Sequence, residues 1–263
     1  MPELPDVEGY RRVLDSCGRG RRVTRVERAD PGVLRGVSAR RLRRALEGRR
    51  LREPERLGKW LIARTDGPSV LLHFGMTGEL LCCSAGDPGH RHDRVVLTLD
   101  DDHQVRYRDQ RKLQGLRLAD SEADVERVTA RLGPDALSVD REAFGSLLAG
   151  RRARVKTVLT DQSALAGLGN LLADEILWRA GIAPGRAAMA LDEDERRRLY
   201  REMRGVLRSS VRAGRVPDRP SWLTGRRDAP DPACPRCDGP LRRTRIGGRG
   251  TVWCPRCQPG DGG

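Results

Sequence analysis

Four cysteines near the end of the 263-residue chain have the spacing of a metal site. Cys234 and Cys237 form one Cys-x-x-Cys pair, and Cys254 and Cys257 form a second pair after sixteen intervening residues. Two such pairs suit a single tetrahedral zinc ion, because each cysteine can contribute one thiolate. We therefore predict one structural zinc ion.

The stretch between the two cysteine pairs alternates in polarity and is interrupted by glycines. This pattern predicts a β-hairpin whose glycine-rich tip carries Arg249. The spacing leaves two interpretations open. The metal-stapled hairpin could serve stability alone, or it could project Arg249 towards a phosphate group.

The first residues after the initiator methionine are Pro2 and Glu3. Removal of that methionine would expose the amine of Pro2, and a terminal amine titrates near pH 8, so about a tenth of it is neutral at pH 7. Such an amine can attack C1′ of a sugar or form a Schiff base, with Glu3 as the acid or base. The same residues also suit a plain helix start, and taken alone they fit that simpler interpretation better.

Two further features concern anions. Residues 167–170 form a glycine turn that leads into a helix, and free N–H groups at a helix start can bind phosphate, although a short turn is weak evidence. The 51 basic residues exceed the 37 acidic ones, which gives a net charge of +14 and indicates a polyanionic partner such as nucleic acid.

Only Lys59, Lys112 and Lys156 are lysines; compositional drift explains their scarcity, and function could explain which remain.

The chain shows no apolar stretch of about 20 residues, so we expect no membrane partner. The N-terminus lacks the apolar centre of a signal peptide, and we expect a cytoplasmic protein. A disulfide framework does not suit that compartment. We expect Cys17, Cys82 and Cys83 to be small buried residues rather than metal ligands.

The patterns that must position these groups predict a multidomain α+β protein. A helix is predicted over residues 4–16, then short strands to about residue 120, and helices from about 125 to 214. A proline- and arginine-rich stretch over 213–232 reads as a linker or mobile loop. Six runs are predicted as strands of a sandwich or barrel: 22–27, 60–64, 70–74, 80–83, 94–99 and 104–108.

Seven segments occur in an order that resembles the formamidopyrimidine-DNA glycosylase/endonuclease VIII family of base-excision repair enzymes. They are MPELPDVEG at 1–9, GKWL at 58–61, HFGMTG at 73–78, RYRDQRK at 106–112, LGPDAL at 132–137, AGLGNLLADEIL at 166–177 and IGGRGTVWCPRCQ at 246–258. The resemblance covers nearly the whole chain. It implies a catalytic β-sandwich at 1–122, a helix–two-turn–helix DNA-binding domain at 123–214, and a linker loop with a zinc finger at 215–263.

The resemblance also implies roles for matching residues. Pro2 would form the Schiff base, Glu3 would help to open the sugar ring, Lys59 would serve β-elimination and Arg249 would serve δ-elimination. The positions expected to bind DNA are His92, Arg111, Arg152, Lys156 and Asn170. Those expected to fill the gap left by an extruded base are Met76, Arg111 and Leu113. Flipping a base costs a few kcal/mol, which such wedges offset.

The resemblance implies a monomeric DNA glycosylase and AP lyase that excises formamidopyrimidine- and 8-oxoguanine-type bases from duplex DNA at the bacterial nucleoid. Leu113 replaces the family phenylalanine and Gln114 the following glycine. The segment from 213 to 234 is also too short for the loop that caps an extruded 8-oxoguanine. Two alternatives stay open: an endonuclease VIII-type enzyme for oxidised pyrimidines, and a catalytically inactive zinc-containing protein that binds damaged DNA.

Overall fold

The computed structural model describes residues 1–260, which fold into two compact units. The first unit contains residues 1–2 and 6–130, and the second contains residues 3–5 and 131–260. The helices are α1 (Leu4–Gly18), α2 (Ala39–Leu46), α3 (Glu122–Thr129), α4 (Arg141–Ala149), α5 (Val155–Thr160), α6 (Asn170–Ala180) and α7 (Glu193–Ala213). The strands are β1 (Val23–Glu27), β2 (Glu55–Leu57), β3 (Trp60–Ala63), β4 (Ser69–His73), β5 (Glu79–Ser84), β6 (Asp93–Leu99), β7 (His103–Arg108), β8 (Gly115–Ala119), β9 (Arg242–Ile246) and β10 (Arg249–Trp253).

The first unit is built on two antiparallel four-stranded sheets, ordered β1-β6-β7-β5 and β2-β3-β4-β8. Buried side chains of both sheets, among them Val95, Tyr107, Leu61 and Leu72, belong to one hydrophobic core. Sheets that share a core in this way form a sandwich. The predicted sandwich is confirmed, and each of the six predicted runs contains a strand.

The sequence analysis did not identify α2, β2 or β8. Helix α2 has local sequence signals from which it could have been predicted. Ser38 caps its start by accepting a hydrogen bond from the Arg41 N–H, and Leu42 and Leu46, four residues apart, are buried. Strand β2 has only three residues, too few for a clear alternation.

The second unit is helical around a core to which Leu4, at the start of α1, also belongs. Helix α7 begins with a reciprocal cap between Asp192 and Glu195 and is followed by Gly214, whose φ of +66° closes the last turn. Helix α6 is buried from Leu172 to Trp178. The predicted helical region is confirmed, and β9 and β10 form the predicted hairpin.

The segment between α7 and the first cysteine pair differs from the expected linker or mobile loop. Trp222 and Leu223 are buried at 5% and 0% exposure. The Thr224 N–H donates to the Glu175 carboxylate at 3.3 Å, and Arg227 pairs with Asp174 at 3.1 Å. Burial of two large side chains and anchoring to α6 order this segment despite its polar composition.

Cys17 and Cys82 form a disulfide with an S–S distance of 2.09 Å. Cys82 is exposed, and Cys17 and Cys83 are half-buried, so the expectation of three buried residues was wrong. The pairing follows from the fold, which brings Cα atoms 65 residues apart in sequence to 6.1 Å, a normal disulfide span. Among residues 1–260, no helix is long and apolar enough to cross a membrane.

Candidate functional site

The carboxylate of Glu3 lies at the start of α6 and is only 1% exposed. Oε2 accepts the Gly169 N–H at 2.8 Å and the Leu172 N–H at 3.2 Å, and Oε1 accepts the Leu171 N–H at 2.8 Å. A helix leaves its first N–H groups without partners in the helix, and here Glu3 takes them. These donors, which the glycine turn suggested for phosphate, therefore hold a carboxylate of the chain itself.

Gly169 makes this arrangement possible because the carboxylate lies against its backbone. A Cβ atom at residue 169 would lie 2.3 Å from Cδ of Glu3. No side chain other than hydrogen fits there without moving Glu3. The glycine turn therefore serves the close approach of a catalytic candidate.

Replacing Glu3 with glutamine is expected to destabilise the protein by about 1–3 kcal/mol. Both oxygens of Glu3 accept N–H groups, so the glutamine NH2 would face a donor and leave it unpaired. Urea unfolding followed by tryptophan fluorescence measures the change. Glu193→Gln, in the exposed first turn of α7, is the control, with an expected effect below about 1 kcal/mol. Equal stability of Glu3→Gln and the control would contradict this interpretation.

Asn170, the first residue of α6, connects that helix start to the hairpin. Its Nδ2 donates to the carbonyl oxygen of Gly250 at 2.9 Å, and the same oxygen accepts a hydrogen bond from Lys156 Nζ at 3.2 Å. Gly250 follows Arg249 directly. The structure thus brings together Glu3, Asn170, Lys156 and the Arg249 backbone within the second unit.

Lys156 does not face solvent, because its side chain is fully buried. Nζ pairs with Asp174 at 2.6 Å and donates to Thr251 Oγ1 at 2.7 Å. Burial lowers the pKa of Lys156 and raises that of Asp174, while their mutual attraction opposes both shifts. The expected direct contact of Lys156 with DNA does not match this geometry, in which the lysine supports the hairpin from inside.

The hairpin turn consists of Gly247 and Gly248, with φ values of +55° and +76°. Two positive φ angles are typical of a type I′ turn, whose twist matches that of the strands, and glycine adopts them without strain. Arg249 follows and is exposed. Arg152, in the connection between α4 and α5, is exposed as well. Both guanidinium groups are therefore accessible to an anion.

The four cysteine sulfurs lie within 4.8 Å of one another. Cys234 Sγ is 3.8 Å from Cys257 Sγ, and Cys237 Sγ is 3.6 Å from Cys254 Sγ. Zinc–sulfur bonds of about 2.3 Å at tetrahedral angles place sulfurs about 3.8 Å apart, so the cluster fits zinc. The indole N–H of Trp178 donates to Cys234 Sγ at 3.3 Å and orients this ligand. The four cysteines together hold one structural zinc ion.

Lys59 lies in a tight hairpin of the first unit. Leu57 pairs with Trp60, so the turn contains only Gly58 and Lys59, and Gly58 has the positive φ, +56°, that such a turn needs. Burial and then the charge of Lys59 lower the pKa of His73 to about 4, so this imidazole is neutral at pH 7. Lys59 therefore lies in a two-residue turn, close enough to an uncharged histidine for its charge to act on that imidazole.

The gap-filling candidates of the first unit lie on neighbouring loops. Arg111 NH1 is 3.0 Å from Met76 Sδ. Met76 and Leu113 are 43% and 50% exposed, which is unusual for large apolar side chains. Arg35 donates to the carbonyl oxygens of Lys112 and Gln114, on either side of Leu113. The structure therefore presents Met76, Arg111 and Leu113 to solvent from fixed backbones.

Half-buried His92 is connected to the loop of Arg111. Its carbonyl oxygen accepts the Asp109 N–H at 3.0 Å, and its Nδ1 is 3.0 Å from Arg94 NH2. Sequence analysis missed Asp109, Asp174 and Thr77, which support the predicted residues. No local pattern reveals them, because their partners are set by tertiary contacts.

Comparison with known proteins matches three segments of the chain to family models. Residues 1–116 match the formamidopyrimidine-DNA glycosylase N-terminal domain, residues 132–218 match the H2TH domain of the same protein, and residues 232–260 match a zinc finger found in FPG and IleRS. The three matches follow the order of the predicted domains.

Whole-chain relatives agree with these matches. A formamidopyrimidine-DNA glycosylase of Heliobacterium modesticaldum is 37% identical over 280 residues, with 98% of this chain and 100% of the relative covered. One from Thermomicrobium roseum is 39% identical over 299 residues, with 98% and 99% covered. Lactococcus lactis Fpg in complex with abasic-site DNA superposes with a TM-score of 0.88 at 26% identity, and MutM with carbocyclic 8-oxo-G DNA with 0.89 at 26%; both cover 98% of this chain and 100% of that chain.

Proposed function

The chain belongs to the formamidopyrimidine-DNA glycosylase family, and from this membership we infer that it is a DNA glycosylase for oxidised bases that also cleaves the strand as an AP lyase. Its partner is double-stranded DNA with damaged bases or abasic sites, and it acts as a monomer. Solved relatives hold abasic-site and Fapy-dG DNA. We assign oxidised purines of the same class to this chain.

The proposed reaction begins at the N-terminal amine. The Pro2 nitrogen attacks C1′, the bond to the base breaks, and the departing base takes up the proton that the Pro2 nitrogen loses. The nitrogen lone pair then forms the C=N bond as the ring opens, and the ring oxygen of the sugar gains a proton from Glu3. The product is an iminium ion between Pro2 and C1′. Loss of a proton from C2′ then expels the 3′ phosphate, with Lys59 assisting, and a second elimination assisted by Arg249 expels the 5′ phosphate.

The observation that carries the proposal is that residues 169–172, at the start of α6, contact both Glu3 and the hairpin residue Gly250. The backbone N–H groups of this helix start hold the Glu3 carboxylate, and the side chain of Asn170 holds the carbonyl of Gly250, next to Arg249. A candidate acid, a DNA-backbone ligand and a candidate elimination residue are thus fixed by one element. The resemblance assigned these roles independently of this geometry.

The DNA contacts are proposed at exposed or half-exposed positions. His92, Arg152 and Asn170 contact the DNA backbone, while Met76, Arg111 and Leu113 enter the stack when a base is extruded. Lys156 takes an indirect role, because burial keeps it from DNA while its ammonium fixes Gly250 and Thr251. We assign the enzyme to the bacterial nucleoid in the cytoplasm, where its proposed substrate lies.

A substrate panel tests the proposed activity. The full chain is incubated with duplexes that contain formamidopyrimidine, 8-oxoguanine, dihydrouracil, an abasic site or no damage, and the mixtures are reduced with borohydride. We expect covalent adducts on the two purine lesions and the abasic site, and little on dihydrouracil. Dominant trapping on dihydrouracil would support the endonuclease VIII-type alternative. Absence of every adduct would support a DNA-binding protein without catalysis.

A further inference from the structure

Asp109 connects the three loops that carry the proposed DNA-contacting residues of the first unit. It follows β7 directly and is only 1% exposed. Its Oδ1 accepts the Thr77 hydroxyl at 2.6 Å and the Arg111 backbone N–H at 3.1 Å. Its own N–H donates to the His92 carbonyl. A single buried residue therefore touches the loops of Met76, His92 and Arg111.

The side chain of Asp109 closes a small hydrogen-bonded ring. The Arg111 N–H also points at Thr77 Oγ1, at 3.1 Å, so Asp109, Thr77 and Arg111 contact one another. Thr77 follows Met76, whose sulfur meets the Arg111 guanidinium. The ring thus fixes the backbones from which both gap-filling side chains extend.

The rest of Asp109 adds to this rigidity. Arg94 Nε donates to the Asp109 carbonyl oxygen at 2.7 Å, and Arg94 also pairs with Asp30 at 3.3 Å. Oδ2 of Asp109 is buried without a hydrogen-bond partner among residues 1–260. Oδ1 is therefore the oxygen through which the side chain holds Thr77 and Arg111, as a hydrogen-bond acceptor.

We propose that Asp109 is a positioning residue that holds Met76 and Arg111 ready to fill the gap left by an extruded nucleotide. The inference rests on the proposed gap-filling roles of those two residues. Because side chains fixed in advance lose less entropy when they enter the stack, the ring favours flipping in duplex DNA. A single strand has no base-pair gap to fill, so the same chemistry there does not need Asp109.

Asp109→Ala is expected to lower kcat/KM for cleavage of a duplex abasic site by about 10- to 100-fold, as displaced positioning groups do. Cleavage of the same abasic site in a single strand should change less than about threefold. A 2-aminopurine opposite the lesion reports gap filling and should respond more slowly in the variant. A merely structural defect would lower both activities together and would overturn the proposal.

Two conservative variants keep the test independent of folding. Asp109→Asn retains an oxygen at the Oδ1 position and should restore duplex cleavage to within a few fold of wild type. Thr77→Val removes the hydroxyl that bridges Asp109 and Arg111, and should reproduce the duplex-specific loss. Asp100→Ala, at an exposed aspartate after β6, is the control. Equal losses in Asp109→Asn and Asp109→Ala would refute a role through hydrogen-bond acceptance.

Met76→Ala and Arg111→Ala separate this inference from the roles it rests on. If either lowers duplex cleavage, adding Asp109→Ala to a variant that combines Met76→Ala and Arg111→Ala should cause little further loss, because the effects of coupled residues are not additive. A full additional loss would show that Asp109 acts elsewhere. If neither variant affects duplex cleavage, the gap-filling roles are wrong and the inference fails with them, while adducts formed by the wild-type chain would still support the enzymatic activity.

Discussion

The substitution Pro2→Gly is expected to lower the yield of the covalent adduct that borohydride traps on abasic-site DNA by at least about 100-fold. Proline supplies a secondary amine, so its adduct with C1′ is a permanently charged iminium ion. Glycine supplies a primary amine, whose imine must first gain a proton, and the open chain also lets the nitrogen rotate away from C1′. The yield of trapped complex on a denaturing gel, with time, measures the loss.

Two controls make this result interpretable. Pro5→Gly changes a proline of the same motif without altering the terminal amine, and it should keep trapping within a few fold of wild type. Mass spectrometry of the purified chains shows whether Met1 has been removed, because a retained methionine would block the amine in any variant. Undiminished trapping by a correctly processed Pro2→Gly protein would contradict the role of Pro2 as nucleophile.

Removing zinc is expected to have the second large effect, on DNA binding. The finger buries few apolar residues of its own, so its folding depends on the metal. Its loss would release Arg249 and the Gly250 carbonyl that holds Asn170. Two contacts to phosphate, each about 1.5–3 kcal/mol, correspond to an affinity loss of about 10²- to 10⁴-fold.

Cys254→Ser tests this expectation in the full chain, because Cys254 is fully buried in the cluster. Cys83→Ser is the matched control, since Cys83 is a free cysteine outside the four-cysteine group. Zinc content by mass spectrometry and affinity for abasic-site duplex by fluorescence anisotropy are measured for both. Wild-type affinity in a zinc-free Cys254→Ser protein would show that the finger is dispensable for binding.

The cysteine pairs and six of the eight sandwich strands were predictable because their signals are local. Cys-x-x-Cys is a property of four consecutive residues, and alternating burial in a strand such as β5 follows from the twofold period of extended backbone. The two consecutive glycines at 247–248 likewise predict a turn with positive φ angles, because glycine adopts such angles without strain. Helix α2 was also within reach, since its cap and apolar spacing are local.

Other features depend on partners that the sequence separates widely. Lys156 stood out as a rare lysine, but only the fold shows that Asp174 and Thr251 enclose it. The Cys17–Cys82 bond spans 65 residues, and no spacing pattern marks it. The order of the segment around Trp222 comes from burial against α6, which its polar composition hides.

The sequence by itself determined the zinc ligands through residue types at short spacings. It determined the family and the catalytic candidates through seven segments that resemble the family in the same order. The tertiary structure alone decided which groups face solvent and which support others. In the fold, the N–H groups at the start of α6 bind Glu3, and the side chain of Lys156 is buried. Asp109 contacts three loops. Hydrogen bonds and burial depend on where distant segments meet, and short-range patterns do not encode that.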